Sequence, residues 1–232
     1  MYTLYIANKN YSSWSLRPWI LLRQLEIAFH EEKHAFQADL AAQRRAFSTF
    51  SPTSKVPVLA DGDIVVWDSL AIAEYLADSH PDVWPQDAAA RAWARSASSE
   101  MHSGFAHLRE YCGMNCALRA RLKSVPPELA ADVQRINTLF NEGLARFGGP
   151  FLAGKRFTAV DAMYAPVIFR IQTYGLDITG DAGDYVSHML ALPGMQQWYA
   201  EALAEPERDR AHEDDVARYS EIVGDEREAR HD

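Results

Sequence analysis

The sequence predicts two parts: an α/β segment of about 80 residues, then an all-α domain. Three observations predict this. Short apolar strand-like runs alternate with helical periodicities up to residue 79. The stretch His80-Pro81-Asp82-Val83-Trp84-Pro85 then stops the pattern with two prolines. Beyond residue 87 long helical periodicities recur and no strand alternation is convincing. The expected domains are 1–80 and 88–205, with a charged tail over 206–232.

In order, the first domain reads as a strand over 3–7, a helix over 15–26, a strand over 29–34 and a helix over 40–47. Pro18 falls in the first turn of its helix, where the missing N–H costs little. A hairpin follows, 56–59 and 64–66, around Ala60-Asp61-Gly62-Asp63, whose Asp-Gly is a turn signal. A helix over 68–79 closes this βαβ-then-ββα layer. The second domain reads as helices over about 88–120, 127–147, 158–172 and 184–204. They are separated by Val125-Pro126-Pro127, Gly148-Gly149-Pro150 and a loop over 175–183.

Composition narrows the function classes. The chain has 232 residues, 48% hydrophobic and 24% charged, as in an ordinary soluble protein. No apolar stretch approaches the roughly 18 residues of a membrane span, and no secretory signal pattern opens the chain. Of the net charge of −9, residues 201–232 carry twelve Asp/Glu against five Arg, or −7. The body is nearly neutral, so no basic nucleic-acid footprint is present. The tail reads as a solvated or disordered end. Cys112 and Cys116 are four apart in a helical pattern, on one helix face; with no zinc spacing from His102 or His107 they read as small buried fillers. No disulfide framework, no metal and a cytoplasmic location are expected.

Three short motifs carry chemistry. YSSWSLRPW, residues 11–19, puts Ser12, Ser13 and Ser15 where a strand hands over to a helix. Serines there cap a helix, or they serve an anion. SKVPVL, residues 54–59, has Pro57 opening a strand. That fits an edge strand, or a cis-proline whose neighbour Val56 offers its backbone to an extended peptide. WDSLAIAEYL, residues 67–76, has Asp68-Ser69 before an amphipathic helix. Capping explains the pair, and so does an amino acid's carboxylate at the helix terminus with its ammonium on Asp68. A fourth stretch, Gly149 to Lys155, opens like a phosphate-binding loop but continues with Arg156, lacking the Ser/Thr magnesium ligand. Thr158 with Asp161 as a capping box accounts for that region instead.

The order and spacing of these motifs, the proline-broken linker and the stretch FLAGKRFTAVDAMYAP resemble the soluble glutathione transferases over about residues 1–205. The Ser-Ser-x-Ser start is most similar to serine-type, zeta-like bacterial members. The resemblance implies a thioredoxin-like first domain, a helical second domain and a homodimer. It also implies glutathione as co-substrate, conjugated to a small electrophile. It gives Ser12 or Ser13 the bound sulfur, Val56 before Pro57 the cysteinyl backbone, Lys55, where the family often has Gln, a carboxylate of the ligand, and Asp68 with Ser69 the γ-glutamyl end. Ser15 then caps the first helix. Trp14, where zeta members usually carry a cysteine, would line the second-substrate pocket, which Met101, His102, Phe105 and Tyr111 would face, and Arg17 would orient that pocket, help bind an anion or form a structural salt bridge. Tyr11 reads as a packing residue. A free thiol has a pKa near 8.5, and lowering it by about two units requires about 2.7 kcal/mol of preferential thiolate stabilisation. One charge-assisted hydrogen bond plus a helix N-terminus can supply that. Isomerisation or dehalogenation would use the same thiolate, and a non-catalytic binding or regulatory protein would reuse the fold.

Overall fold

The computed structural model describes residues 1–227. The first layer contains β1 (Tyr2–Ile6), α1 (Ser13–Gln24), β2 (Phe29–Lys33), α2 (Leu40–Phe47), β3 (Val58–Asp61), β4 (Ile64–Trp67) and α3 (Ser69–Ala77). The four strands form one sheet in the order β2-β1-β3-β4. β1 and β2 are parallel, with Tyr2 opposite Phe29 and Ile6 opposite Lys33, which requires a crossover connection; α1 provides it. β3 runs antiparallel to both β1 and β4. The hairpin turn holds Gly62 at φ 58, a left-handed conformation that glycine adopts without a Cβ penalty. β1 lies inside the sheet, and its Leu4 and Ile6 alternate into the core.

A 3-10 turn, Pro81–Val83, occupies the proline break. Helices then dominate: α4 (Ala88–Ser103), α5 (Ala106–Tyr111), α6 (Pro127–Phe147), α7 (Ala159–Tyr174), α8 (Asp181–Ala191) and α9 (Pro193–Ala204). α7 is apolar around nearly its whole circumference and is buried accordingly, against α1 on one side and α4 on another. Its N-terminus carries the expected capping box between Thr158 and Asp161. Asp161 also accepts from Leu152 N–H at 3.0 Å and Tyr185 O–H at 3.1 Å, so one buried carboxylate ties together the loop, α7 and α8. One continuous hydrophobic core crosses from Leu4 and Trp19 to Phe140 and Tyr185. A buried ion cluster also joins the layers. Lys9 pairs with Glu31 at 2.8 Å and with Glu201, while its ammonium lies 4.8 Å and 5.4 Å from the ring centres of Trp19 and Trp198.

Several expectations are corrected. The helix read across 88–120 is α4, α5 and a strand, β5 (Leu118–Leu122). α4 ends at Gly104, where only glycine fits because a Cβ would lie 2.7 Å from the Glu100 carbonyl oxygen, and Phe105 follows at φ 57. Cys112 and Cys116 therefore do not share a helix face; both are buried free thiols, as fillers should be, and burial pushes Cys112 up to about 12. The helix read over 184–204 splits at Pro193, which opens α9 where its missing N–H is not needed.

The largest departure is the tail. Up to residue 227 it is not a solvated or disordered end: α10 (Arg210–Tyr219) and β6 (Ser220–Asp225) fold back, and β6 pairs antiparallel with β5. Asp209 caps α10 by accepting from Ala211 N–H at 3.0 Å. The excess of acid is met by arginines placed within reach: Arg227 lies 2.8 Å from Asp225 and 2.9 Å from Glu213, and Arg208 lies 3.2 Å from Asp225. Residues 228–232 of that tail lie outside the described residues.

Candidate active site

The turn from β1 into α1 is built by Asn8, whose carbonyl accepts from Tyr11 N–H at 3.2 Å and Ser12 N–H at 2.8 Å. Leu16 N–H bonds Ser12 O at 3.2 Å, so Ser12, not Ser15, is the N-cap residue of α1. Ser15 instead accepts from Ala7 N–H at 3.2 Å, and its Oγ lies 2.7 Å from Ser12 Oγ. Pro18 consequently sits inside the helix rather than in its first turn, and it offers no N–H to the Trp14 carbonyl.

Ser12 and Ser13 are 5% and 9% exposed and line a cavity of about 400 Å3. Its other walls include Trp14, Lys55, Val56, Arg109, Arg170 and His212. A second cavity of about 390 Å3, lined by Pro57, Asp68, Ser69 and His102, meets the first at Trp14, Lys55 and Val56. The peptide bond between Val56 and Pro57 is cis. Because β3 begins only at Val58, Val56 lies outside the sheet ladder, and among the described residues its N–H and C=O have no hydrogen-bond partner. Lys55 is exposed at the junction of the two cavities.

Asp68 caps α3 from φ 78, a region that costs a non-glycine residue about 1–3 kcal/mol. Its Oδ1 accepts from Leu70 N–H at 2.8 Å and Ala71 N–H at 3.3 Å, while Oδ2 lies 3.3 Å from His102 Nε2. Capping and ligand-facing placement thus coexist in one side chain. Ser69 Oγ accepts from Arg17 Nη1 at 3.4 Å.

Arg17 lines neither cavity. It lies beneath Trp14, 1% exposed, with its guanidinium 4.2 Å from the ring centre; the Arg109 guanidinium lies 4.9 Å from the same ring. Of the pocket residues expected on α4 and α5, only His102 faces either cavity. Met101 is core, Phe105 packs on Tyr164 at 6.5 Å, and Tyr111 packs on Tyr219 at 4.7 Å. Tyr11 also lines the first cavity; its hydroxyl donates to Glu213 at 2.7 Å and its ring stacks on His212.

The residues missed are Arg109, Arg170 and the α10 side chains. Arg170 had a readable signal, a lone cation in the otherwise apolar run MYAPVIFRI. His212 had none, because its place between Phe36 and Tyr11 depends on contacts almost the length of the chain apart. Among the described residues no group of three or more His, Cys, Asp or Glu is placed to hold a metal ion, and no helix is long and apolar enough to cross a membrane.

The chain is similar to several known proteins. A probable maleylacetoacetate isomerase from Caenorhabditis elegans is 26% identical over 187 residues, covering 76% of this chain and 81% of its own length. A stringent starvation protein A homolog from Pasteurella multocida is 23% identical over 179 residues, covering 74% and 80%. A solved glutathione transferase homolog from Burkholderia, with bound glutathione, superposes with a TM-score of 0.66 at 20% identity, over 88% of this chain and 99% of that one. Residues 11–79 match the family model for the glutathione S-transferase N-terminal domain and residues 86–201 that for the C-terminal domain. Together these matches span most of the sequence, with the serines, Val56 and Asp68 inside the first, and the chain belongs to the glutathione S-transferase family.

Proposed function

We propose that this chain is a serine-type glutathione transferase in which Ser12 holds the glutathione sulfur as a thiolate that attacks a small electrophile. One observation carries the reading: Ser12, Ser13 and Val56, whose backbone is unpaired among the described residues, line the same cavity at the N-terminus of α1. Val56 pairs with the cysteinyl backbone by strand-like hydrogen bonds. Ser69 and the start of α3 take the γ-glutamyl carboxylate, and Asp68 Oδ2 faces its ammonium. The sulfur then lies over the first turn of α1. If Ser15 accepts from Ala7 and donates to Ser12, the Ser12 proton is left for the sulfur, and its bond strengthens as the thiol ionises. Glutathione is the co-substrate, and no metal has a role in this scheme.

Calorimetry with glutathione, and conjugation of 1-chloro-2,4-dinitrobenzene by wild type and Ser12→Ala, test this. Binding with turnover lost in the variant supports it; unchanged turnover moves the role to Ser13.

A second reading, glutathione-dependent isomerisation with the same thiolate, is favoured by the name of the nematode relative, and dehalogenation by that of short dichloromethane dehalogenase matches over 23% of this chain. Trp14 in place of the zeta-class cysteine weighs against the isomerase. The non-catalytic alternative predicts binding without turnover. We further propose a cytoplasmic homodimer with a role in detoxification. The exposed Ile64, Val65 and Trp67 on the edge strand β4 offer an apolar dimer surface, and two buried free thiols suit a reducing compartment. Sedimentation at micromolar concentration checks the dimer.

A further inference from the structure

Three arginines converge behind the serines, and none has a carboxylate partner among the described residues. Arg17 has its Nε and Nη2 without any hydrogen bond. Arg170, 3% exposed, spends its Nε on the Cys112 carbonyl at 2.7 Å and leaves Nη1 unpartnered. Arg109 donates to the carbonyls of Gly104 and Met101 at the end of α4. A buried unpaired guanidinium is expensive, and three near one another repel. Such an arrangement persists where a ligand completes it. Burial and the charge of Arg109 pull Arg170 down to about 10, the direction expected of a cation that lacks its anion.

Two of the three arginines line the first cavity. Arg109 and Arg170 line it together with Ser12 and Ser13, whereas Arg17 lies behind Trp14 and reaches Ser69 on the side assigned to glutathione. The acids on the same walls, Glu110 and Asp215, are exposed, and Glu110 accepts from Tyr219 O–H at 3.2 Å. Water screens those two charges far more than the buried arginines.

We propose that Arg170 and Arg109 form an anion site in the electrophile pocket, so that the second substrate is an electrophile bearing a carboxylate. The inference rests on the transferase reading and specifies its substrate class. With an aryl halide acid, the thiolate forms the carbon–sulfur bond and chloride departs with the bonding pair. The carboxylate is unchanged throughout, held by the two guanidinium groups while the reacting carbon faces the serines. Both residues are binding residues for the substrate's remote end.

The test pairs 4-chloro-3-nitrobenzoate with 4-chloro-3-nitrobenzamide, each kcat/KM divided by its uncatalysed rate with glutathione. The expected result is a preference for the acid of tenfold or more. Arg170→Met should reduce that preference towards one through a higher KM for the acid, Arg170→Lys should restore part of it, and Arg109→Gln, at a less buried position, should act in the same direction. The KM for glutathione should stay within twofold. Equal normalised rates for acid and amide in wild type, an unchanged ratio in both the Met and Gln variants, or a raised glutathione KM with the ratio intact would each overturn the proposal. Titration with 3-nitrobenzoate and 3-nitrobenzamide in the absence of glutathione, followed by Trp fluorescence, separates the two levels. Salt-sensitive binding of the acid alone supports the anion site even if no aryl halide is turned over, an outcome that sinks only the transferase reading. No binding of the acid overturns the site.

Discussion

The hydroxyl oxygens of Ser12 and Ser15 lie 2.7 Å apart, one at the N-cap of α1 and the other anchored to the backbone of Ala7. The second serine fixes the first. Removing the Ser12 hydroxyl should cost a charge-assisted hydrogen bond, about 1.5–3 kcal/mol, or roughly ten- to a hundredfold in kcat/KM. The midpoint of the pH profile should rise by about one to two units as the thiol reverts towards its free value. Ser15→Ala should show a smaller change in the same direction. Stopped-flow thiolate absorbance across pH measures both.

Tyr11 adjoins the serines, but its hydroxyl is engaged by Glu213 at 2.7 Å, Asp209 N–H at 3.3 Å and Arg227 at 3.4 Å. Burial first, and then Glu213, pushes its phenol upward, away from any acid–base role near neutrality. Tyr11→Phe should keep kcat within about threefold and lower Tm by roughly 2–4 °C for the loss of about 1 kcal/mol. A hundredfold loss of turnover with Tm unchanged would make the tyrosine catalytic.

Lys9 is buried between Glu31, Glu201 and two indole rings. Lys9→Met should remove the ammonium that both partly exposed carboxylates share and destabilise the fold by about 1.5–3 kcal/mol, the scale of hydrogen bonds to charged groups. Denaturant titration reads this directly. A Lys9→Met/Glu201→Gln double variant should recover part of the loss.

Burial raises Asp161 to about 6, against four donors that pull it down. Its folded value thus exceeds its unfolded value of about 3.9. The folded state binds the proton more tightly, so this group's contribution is complete below about pH 4 and is lost as pH rises through 6. Comparison of Tm at pH 4 and pH 7 should therefore show a smaller change attributable to position 161 in Asp161→Asn, which cannot ionise, than in wild type.

Much of the first layer is legible in sequence because its signals are local. α2 spans the residues that its pattern indicates, Gly62 marks its own turn, and the motifs around Val56 and Asp68 coincide with the cavity walls. At α1 the pattern points to a cap three residues too late, since Ser12 and Ser15 are chemically equivalent and only the Asn8 turn distinguishes them. β5 was read as helix because its alternation serves a partner strand a hundred residues downstream. The arginine pair was overlooked for a related reason: Arg109 and Arg170 stand on different helices and acquire meaning only from a shared cavity. Charge counting likewise reported the acids of the tail without showing which arginines answer them.

The wall that His212 contributes has a consequence for biosynthesis. Glu213 is 202 positions beyond the Tyr11 hydroxyl it accepts from. At about 5–20 residues per second, a ribosome needs roughly 10–40 s to travel between them. Once β4 and α3 have been made within that interval, the nascent sheet can already present the wall at Pro57 and Asp68, while the cavity that His212 helps to enclose still stands open on one side.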